Sequence, residues 1–367
     1  MKSLIFFIFI IVLGLYFYST DFIITLLLIS FLVFFHELGH FLAAKSLGVG
    51  VEVFSIGFGK KLIAYDINKT NYRISALPLG GYVRLKGQDD LNPSKENLDK
   101  DSYSVLSPIK KIYILFAGPF FNIMLAFLLY VIIGHMGELK LAASIGDIAP
   151  NSPAFKANLQ SKDKILEING TKIKSFDEIA PLLKLENTSL KIQRNNEIKN
   201  IIIKPELNKG YNDFMQEIQK PMIGISPSGD TIMIYNKGLD SLSYALDKSL
   251  QSSTLIIKGL VKLIIGDIDP KNIGGIITMV DVTSKASDMG INILLLITAL
   301  ISINLGILNL LPIPMLDGGH IVFNLYEGIF RKKISKKIIE YLSYGGMAIL
   351  LAIMIFATIN DIIRFIK

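Results

Sequence analysis

The sequence contains no cysteine, which excludes disulfide bonds and zinc sites built on thiolate ligands. It is also poor in charge, because only 19% of its 367 residues are charged whereas 51% are hydrophobic. Its mean hydropathy of +0.49 is far too high for one soluble domain of this length. Several apolar runs are long enough to cross a bilayer, so the composition predicts an integral membrane protein.

Two features of other protein classes are missing as well. The net charge is +7, but no basic stripe with interleaved aromatic residues is found, so we do not expect nucleic-acid binding. The lysines and arginines cluster beside apolar runs instead, as the positive-inside rule describes. The sequence also lacks the inverted repeats of many transporters, which makes transport a weak alternative.

Apolar segments surround a polar middle, and the sequence divides into six regions. They are an N-terminal apolar segment with the first long span (1–47), a basic β-rich loop (48–111), another span (112–135), a soluble domain (140–207), an amphipathic helix with a connector (208–290), and a C-terminal part with a span, a basic loop and the last span (291–367). The short run Leu4–Tyr18 is interpreted as a tilted or interfacial span or a signal-peptide core, although no small-x-small cleavage site follows it.

Charge asymmetry predicts the orientation of the spans. The most basic short loops are 48–111 and the loop that holds Arg331, Lys332, Lys333, Lys336 and Lys337. The positive-inside rule places both loops in the cytoplasm, together with Lys2. Five spans then put the 135–290 region and the C-terminus outside.

A chemical motif lies in the stretch ITLLLISFLVFFHELGHFLAA, within the span from Phe22 to about Leu47. His36 and His40 are four residues apart, which stacks their imidazoles on one helical face, with Glu37 beside them. This spacing is typical of zinc sites in metalloproteases, where the glutamate is the general base. Ionisable groups are costly inside a bilayer and indicate function there.

A second motif, NLLPIPMLDGG, follows the apolar run 291–308. Its two prolines and two glycines break a helix, which is tolerated in a membrane only where the backbone lines a cavity or is buried in protein. Taken alone, Asp317 is equally well explained as the N-cap of the next helix. A catalytic zinc needs three protein ligands, however, so we predict Zn²⁺ held by His36, His40 and Asp317, with Glu37 as the base.

Together these motifs closely resemble the site-2 protease family, specifically its bacterial RseP type, over nearly the whole chain. The resemblance rests on H-E-L-G-H, on N-L-L-P-I-P-M-L-D-G-G, on a G-P-x-x-N motif at Gly118–Asn122, and on Leu77–Val83. The last segment is similar to a β-loop that dips toward the active site in these enzymes. Asn304 and Asn309 match family asparagines implicated in substrate handling.

A helical substrate must unwind before its peptide bonds can be attacked. We expect the amides of Asn304 and Asn309, and an edge strand at Gly80 and Gly81, to pair with the freed backbone groups. The alternative is that these residues only tie helices together.

The soluble region resembles a PDZ domain, most clearly over Asp147–Gly170. Three short strands are predicted there: Lys164–Ile168, Leu190–Gln193 and Ile198–Ile203. A capping-box pattern at Ser175–Glu178 predicts a helix, and the carboxylate-binding loop is expected near Ala142–Ile145. Larger RseP-type enzymes have two such domains, but 140–207 has room for one. The predicted fold class is therefore a polytopic α-helical membrane protein with a β-rich membrane-associated loop and one inserted soluble PDZ domain (α+β).

The resemblance implies a zinc endopeptidase of the bacterial inner membrane, with its site near the cytoplasmic face and its PDZ domain on the periplasmic side. Expected substrates are single-span proteins already shortened by another protease, such as anti-sigma factors or remnant signal peptides. The PDZ domain is expected to bind peptides or to exclude bulky ectodomains. A catalytically silent adaptor is the competing alternative, against which the complete ligand set argues. His135 and His320 are left out of the metal set, and Glu138 and Asp361 are interpreted as interfacial charges.

Overall fold

A computed structural model describes residues 20–88, 97–214 and 216–366, so the interpretation of Leu4–Tyr18 falls outside the described residues. The α-helices of this part of the chain are α1 (Thr20–Ser46), α2 (Pro108–Met136), α3 (Pro153–Lys156), α4 (Leu239–Ile264), α5 (Ile276–Asp288), α6 (Ile291–Asn309), α7 (Asp317–Phe330) and α8 (Lys336–Ile366). The strands are β1 (Val51–Ile67), β2 (Thr70–Leu85), β3 (Glu138–Leu141), β4 (Ile145–Ile148), β5 (Lys164–Ile168), β6 (Thr171–Lys172), β7 (Thr188–Arg194), β8 (Glu197–Ile203), β9 (Glu206–Tyr211), β10 (Glu217–Met222), β11 (Ile225–Pro227) and β12 (Thr231–Ile234).

Four of the described helices, α1, α2, α6 and α8, are long and apolar enough to cross a membrane. They coincide with four of the spans predicted from the sequence. An α-helix suits these segments because it satisfies its backbone hydrogen bonds internally, which lipid requires. The described residues form two compact units: one holds those up to Val131 and those from Ser243 onward, and the other is formed by residues 132–242.

In the first unit, the long strands β1 and β2 fold back on themselves into a small antiparallel sheet. Its segments lie in the order Ile63–Ile67, Thr70–Ile74, Val53–Ile56 and Gly81–Leu85. The segment Val53–Ile56 has a partner on both sides, so Gly81–Leu85 lies at an edge of the sheet. The predicted β-rich loop is confirmed.

A buried cluster fixes this sheet against α1 and α2. Val51 and Leu85 from the sheet pack with Ile114 of α2, and all three are at most 4% exposed. The rings of Phe41 in α1 and Phe54 in β1 lie 5.0 Å apart. The edge strand of the sheet is thereby held close to the helix that carries the H-E-x-x-H motif.

The second unit, residues 132–242, is longer than the predicted 140–207. A four-stranded antiparallel sheet in the order β6-β5-β7-β8 forms its centre, and further pairs join β3 to β12, β4 to β11 and β9 to β10. Its core residues Ile145, Ile165, Ile168, Leu190 and Ile192 are fully buried. The three strands predicted from the sequence are confirmed as β5, β7 and β8.

The segment 208–290, predicted as one amphipathic helix and a connector, contains more structure. Its helix is confirmed as α4, but the strands β10 to β12 and most of β9 precede it, and α5 occupies the expected connector after Gly274 and Gly275. The prediction missed β11 and β12 because they pair with β4 and β3, which lie more than 70 residues earlier.

The helix predicted at Ser175–Glu178 is wrong. Two 3₁₀ turns, Phe176–Glu178 and Ala180–Leu182, replace it. The Ser175 hydroxyl does bond Glu178, at 3.1 Å. The second turn includes Pro181, which lacks an N–H and disfavours helical geometry in the residue before it, so the capping pattern starts no longer helix.

Asp361, interpreted from the sequence as an interfacial charge, is instead 1% exposed and caps α5. Its carboxylate accepts hydrogen bonds from the backbone N–H groups of Gly275, Ile277 and Thr278 at 3.0–3.1 Å. The first amides of a helix have no partner within the helix. Because α5 begins after a glycine, which has no side chain to cap it, the last helix supplies the cap.

Candidate metal centre

The second half of α1 brings the two histidines of the H-E-x-x-H motif together. The Nε2 atoms of His36 and His40 lie 3.1 Å apart. His40 lies six residues before the end of α1 at Ser46, about 9 Å along the helix axis. The pair is therefore placed inside a membrane-competent helix, near one of its ends.

Asp317 completes a cluster of three ligand atoms. Its Oδ2 lies 3.1 Å from His36 Nε2 and 3.4 Å from His40 Nε2. Asp317 is the first residue of α7, and the N-cap position belongs to Leu316. The capping alternative is therefore wrong, because the Asp317 side chain faces the histidines.

The turn before α7 explains the two glycines that follow Asp317. A Cβ on Gly318 would lie 2.3 Å from the carbonyl oxygens of Leu310 and Leu311, and one on Gly319 would lie 2.4 Å from that of Ile313. The chain folds back tightly over these carbonyls, and only glycine fits. The break in the helices thus turns Asp317 toward α1.

The donor set fits a divalent metal ion such as zinc. His40 Nδ1 lies 2.8 Å from the carbonyl oxygen of Ile114, to which it donates, so the Nε2 lone pair is free to face the cluster. Two imidazole nitrogens and one carboxylate oxygen, all within 4.8 Å of one another, repel unless a proton or a cation lies among them. Three N/O ligands are the set of a catalytic zinc site.

Glycine at position 118 makes room for the histidine pair. A Cβ there would lie 2.3 Å from His40 Nε2 and 2.9 Å from His36 Cε1. In α1, a Cβ on Gly39 would lie 2.3 Å from the Ala117 carbonyl oxygen of α2. The helices α1 and α2 are therefore in backbone contact at the level of the site.

Glu37 directly follows His36 in α1, and its carboxylate is held by the sheet. Its Oε2 accepts a hydrogen bond of 2.9 Å from the backbone N–H of Val83, in the edge strand. A carboxylate oriented in this way is placed to act as a base. The H-E-x-x-H motif identified Glu37, and the resemblance brought Leu77–Val83 toward the active site, but neither predicted the bond between Glu37 and Val83.

A cavity of about 400 Å³ opens onto the cluster. Its lining includes the four residues of the motifs together with Gly80, Gly81 and Asn309. Asn304 does not line it, because five residues on a helix rotate a side chain by about 140° relative to Asn309. The structure therefore brings three of the four predicted substrate-binding residues to the site.

The remaining histidines lie apart from the cluster. His320, in α7, has its ring against Phe323 at 5.9 Å, and His135 is in the last turn of α2. Asn122 was quoted only as part of a motif, yet its side chain contacts His36 at 3.2 Å. Gly118 was likewise quoted only within that motif, and it too adjoins the histidine pair.

Comparison with known proteins agrees with this geometry. The model of peptidase family M50 matches residues 24–353, which is most of the chain. The chain belongs to peptidase family M50. This M50 protein, a member of the site-2 protease family, is therefore a zinc metalloprotease, and its apolar helices are those of a membrane protein.

Relatives named as zinc metalloproteases align along nearly their full length. One from Campylobacter jejuni is 62% identical over 366 residues and covers 100% of both chains. One from Helicobacter pylori is 38% identical over 94% of this chain and 100% of its own. One from Rickettsia conorii is 35% identical over 93% of this chain and 97% of its own.

Proposed function

We propose that this M50 protein cleaves peptide bonds inside transmembrane segments, with zinc held by His36, His40 and Asp317 and with Glu37 as the general base. The observation that carries the proposal is the convergence of Asp317 with His36 and His40, two ligands that lie inside the membrane-competent helix α1. A soluble peptidase does not need metal ligands inside a membrane helix. Ionisable groups cost free energy in a bilayer, so their presence there indicates a function.

The chain's own residues account for the proton transfers. His36, His40 and Asp317 would hold the zinc ion, which would supply Lewis acidity toward the scissile carbonyl and lower the pKa of the attacking water. Glu37 takes the proton of the attacking water and returns it to the leaving amine nitrogen. The Val83 N–H keeps the Glu37 carboxylate in place between these two transfers.

The edge strand Gly81–Leu85 supports a mode of substrate binding. An unpaired strand edge accepts an extended peptide as a further strand. The substrate helix must unwind to expose its peptide bonds, and the edge strand beside Glu37 supplies backbone partners for them. Gly80 and Gly81 line the cavity beside this strand, and the Asn309 amide supplies a further polar partner for the substrate backbone. We assign Asn304 a role in the same step only through the family resemblance.

Charge supports an orientation in the bacterial inner membrane. The basic segments 48–111 and 331–337 are assigned to the cytoplasm by the positive-inside rule, which puts the site near the cytoplasmic face. Residues 132–242 then belong to the periplasmic side. By resemblance, the substrates are single-span proteins first shortened by another protease, either anti-sigma factors or remnant signal peptides.

Cleavage and zinc content together test the catalytic proposal. Purified full-length protein is incubated with a truncated single-span substrate, alongside the variants Glu37→Gln and Glu52→Gln. Glu52 is exposed on β1 and serves as the matched control. We expect one zinc per chain in all three proteins and loss of cleavage only with Glu37→Gln. Equal cleavage by Glu37→Gln, or wild-type protein without zinc, contradicts the proposal.

A groove in the second unit supports peptide binding by a PDZ-like module. The groove has a volume of about 240 Å³ and lies between the 3₁₀ turns and the strands β10 and β11. Its lining is largely apolar and includes Phe176, Ile179, Leu183, Met222 and Ile223. An extended peptide adds to such a strand and places alternate side chains in the groove. The segment Ala142–Ile145, where the carboxylate-binding loop was expected, does not line the groove.

Filling the groove tests this role. Ala180→Trp places a bulky side chain in the groove, whereas Lys184→Trp, on an exposed neighbouring position, is the control. If the module binds the trimmed end of a substrate, Ala180→Trp slows cleavage of trimmed substrates and the control does not. Unchanged cleavage by Ala180→Trp favours the alternative, steric exclusion of bulky ectodomains.

A further inference from the structure

Asn122 lies beside the proposed metal centre and has no part in the mechanism above. It is 0% exposed within α2, and its side-chain Nδ2 lies 3.2 Å from His36 Nδ1. The hydroxyl of Ser302 in α6 donates to the Asn122 backbone carbonyl at 2.8 Å and does not involve the amide side chain. Burial of the side chain keeps the Asn122 amide in contact with one ligand, His36.

The contact matters because a ligating histidine has a defined tautomer. His36 faces His40 and Asp317 with Nε2, so a neutral His36 that binds zinc there carries its proton on Nδ1. That N–H requires an acceptor. His40 has one in the carbonyl oxygen of Ile114, but an amide NH₂ group is only a donor.

A second observation concerns the other end of the same amide. Asn122 Oδ1 is buried and has no hydrogen-bond partner in this orientation. The oxygen and nitrogen of an asparagine amide have the same shape and are told apart by their hydrogen bonds. A rotation of the amide by 180° exchanges the two atoms. Oδ1 then accepts the hydrogen bond of the His36 N–H, and Nδ2 takes the place that Oδ1 held.

We propose that Asn122 is a positioning residue, whose Oδ1 accepts the Nδ1–H of His36 and so fixes the tautomer and ring plane in which His36 binds zinc. This inference rests on the zinc site proposed above. The acceptor partners of ligating histidines set metal affinity, and their loss costs about 10- to 100-fold. The Asn122 amide acts on zinc through His36 and touches no substrate.

Zinc affinity of the full-length protein, measured by chelator competition, tests the proposal. Asn122→Ala removes the acceptor, Asn122→Asp keeps one, and Ser302→Ala removes only the bond to the Asn122 backbone. We expect a zinc dissociation constant about 10- to 100-fold higher for Asn122→Ala, and one within about threefold of wild type for the other two variants. The melting temperature of the zinc-free proteins reports whether the fold is kept.

Two results overturn the proposal while the zinc site itself stands. The first is a zinc dissociation constant of Asn122→Ala within about twofold of the wild-type value. The other is Asn122→Asp that loses as much affinity as the alanine variant at an unchanged melting temperature. Wild-type protein that binds no zinc refutes the metal site instead, so the two failures are distinguishable.

A measurement on the unaltered chain covers the case in which the variants unfold. The protein has four histidines, so nitrogen NMR of the zinc-loaded protein with labelled histidine resolves few rings. We expect His36 to carry its proton on Nδ1 and to exchange it slowly with solvent. A proton on His36 Nε2 contradicts the proposal.

Discussion

Gly118→Ala is the smallest change that reaches the metal centre. It adds one methyl group to α2, at the point where that helix faces the histidine pair. Alanine is the better helix former by about 1 kcal/mol, so the substitution does not weaken α2 itself. Any loss of function therefore comes from the position of the new methyl group.

The structure gives the size of the disturbance. The added Cβ would lie 2.3 Å from His40 Nε2, whereas ordinary van der Waals contact begins at 3.4 Å. His40 or the helix must therefore move by about 1 Å, from the difference of these two distances. Moving the two helices apart would break the close backbone contact between Gly39 and Ala117 beside the site. A displacement of about 1 Å at a catalytic group costs about 100-fold in rate.

The assay compares Gly118→Ala with Gly345→Ala. Gly345 lies in the membrane helix α8 and has no atom within 4 Å of the added methyl group, so it controls for the change in helix propensity. We expect Gly118→Ala to bind zinc at least about 10-fold more weakly and to cleave a truncated single-span substrate about 100-fold more slowly. Wild-type zinc binding and cleavage by Gly118→Ala would refute the assigned packing of the site.

Three further predictions concern stability and are measured by thermal or denaturant unfolding of the purified protein. Asp361→Asn weakens the cap of α5 and is expected to lower the free energy of unfolding by about 1 kcal/mol. The control Asp281→Asn, in an exposed pair with Lys285, is expected to lower it by less than about 0.5 kcal/mol. Equal effects would contradict the capping role. Asp163→Ala removes a buried partner of Arg194, bonded at 2.6 and 2.7 Å, and is expected to lower the free energy of unfolding by about 3 kcal/mol. The control Glu206→Gln, in an exposed pair with Lys156, is expected to lower it by less than about 1 kcal/mol. A loss below about 1 kcal/mol for Asp163→Ala would show that the buried pair does not stabilise the fold. Burial of Asp177 opposes its ionisation, but hydrogen bonds from Ser175 and Lys140 outweigh burial and lower the pKa of Asp177. Its stabilising contribution is therefore complete above the ordinary aspartate pKa of about 3.9 and is lost as the pH falls below it, and Asp177→Asn should remove that part of the pH dependence.

Local sequence patterns were sufficient for the residues that carry the chemistry. The four-residue spacing of His36 and His40 defines one helix face by itself, and the four apolar spans follow from length and hydropathy. Asp317 was recognisable because a carboxylate after a broken apolar run needs a partner. The strands β5, β7 and β8 followed from short β-branched runs.

Contacts between distant segments were beyond such patterns. Val83 reaches Glu37 across 46 positions, and Asn122 reaches His36 across 86, so neither is visible as a local motif. Asp361 looked like a charge at a span end because its partners, the first amides of α5, lie more than 80 residues earlier. The strands β11 and β12 were missed for the same reason, since their pairing partners precede the central sheet of the unit.

The position of the cut in a substrate tests the central claim most directly. A single-span substrate, truncated on its outer side, is digested by the purified full-length protein, and the masses of both products locate the broken bond. A site embedded in a membrane helix predicts a cut within the apolar segment of the substrate, absent with Glu37→Gln. A cut confined to the polar flanks, with the apolar segment left whole, would contradict intramembrane proteolysis.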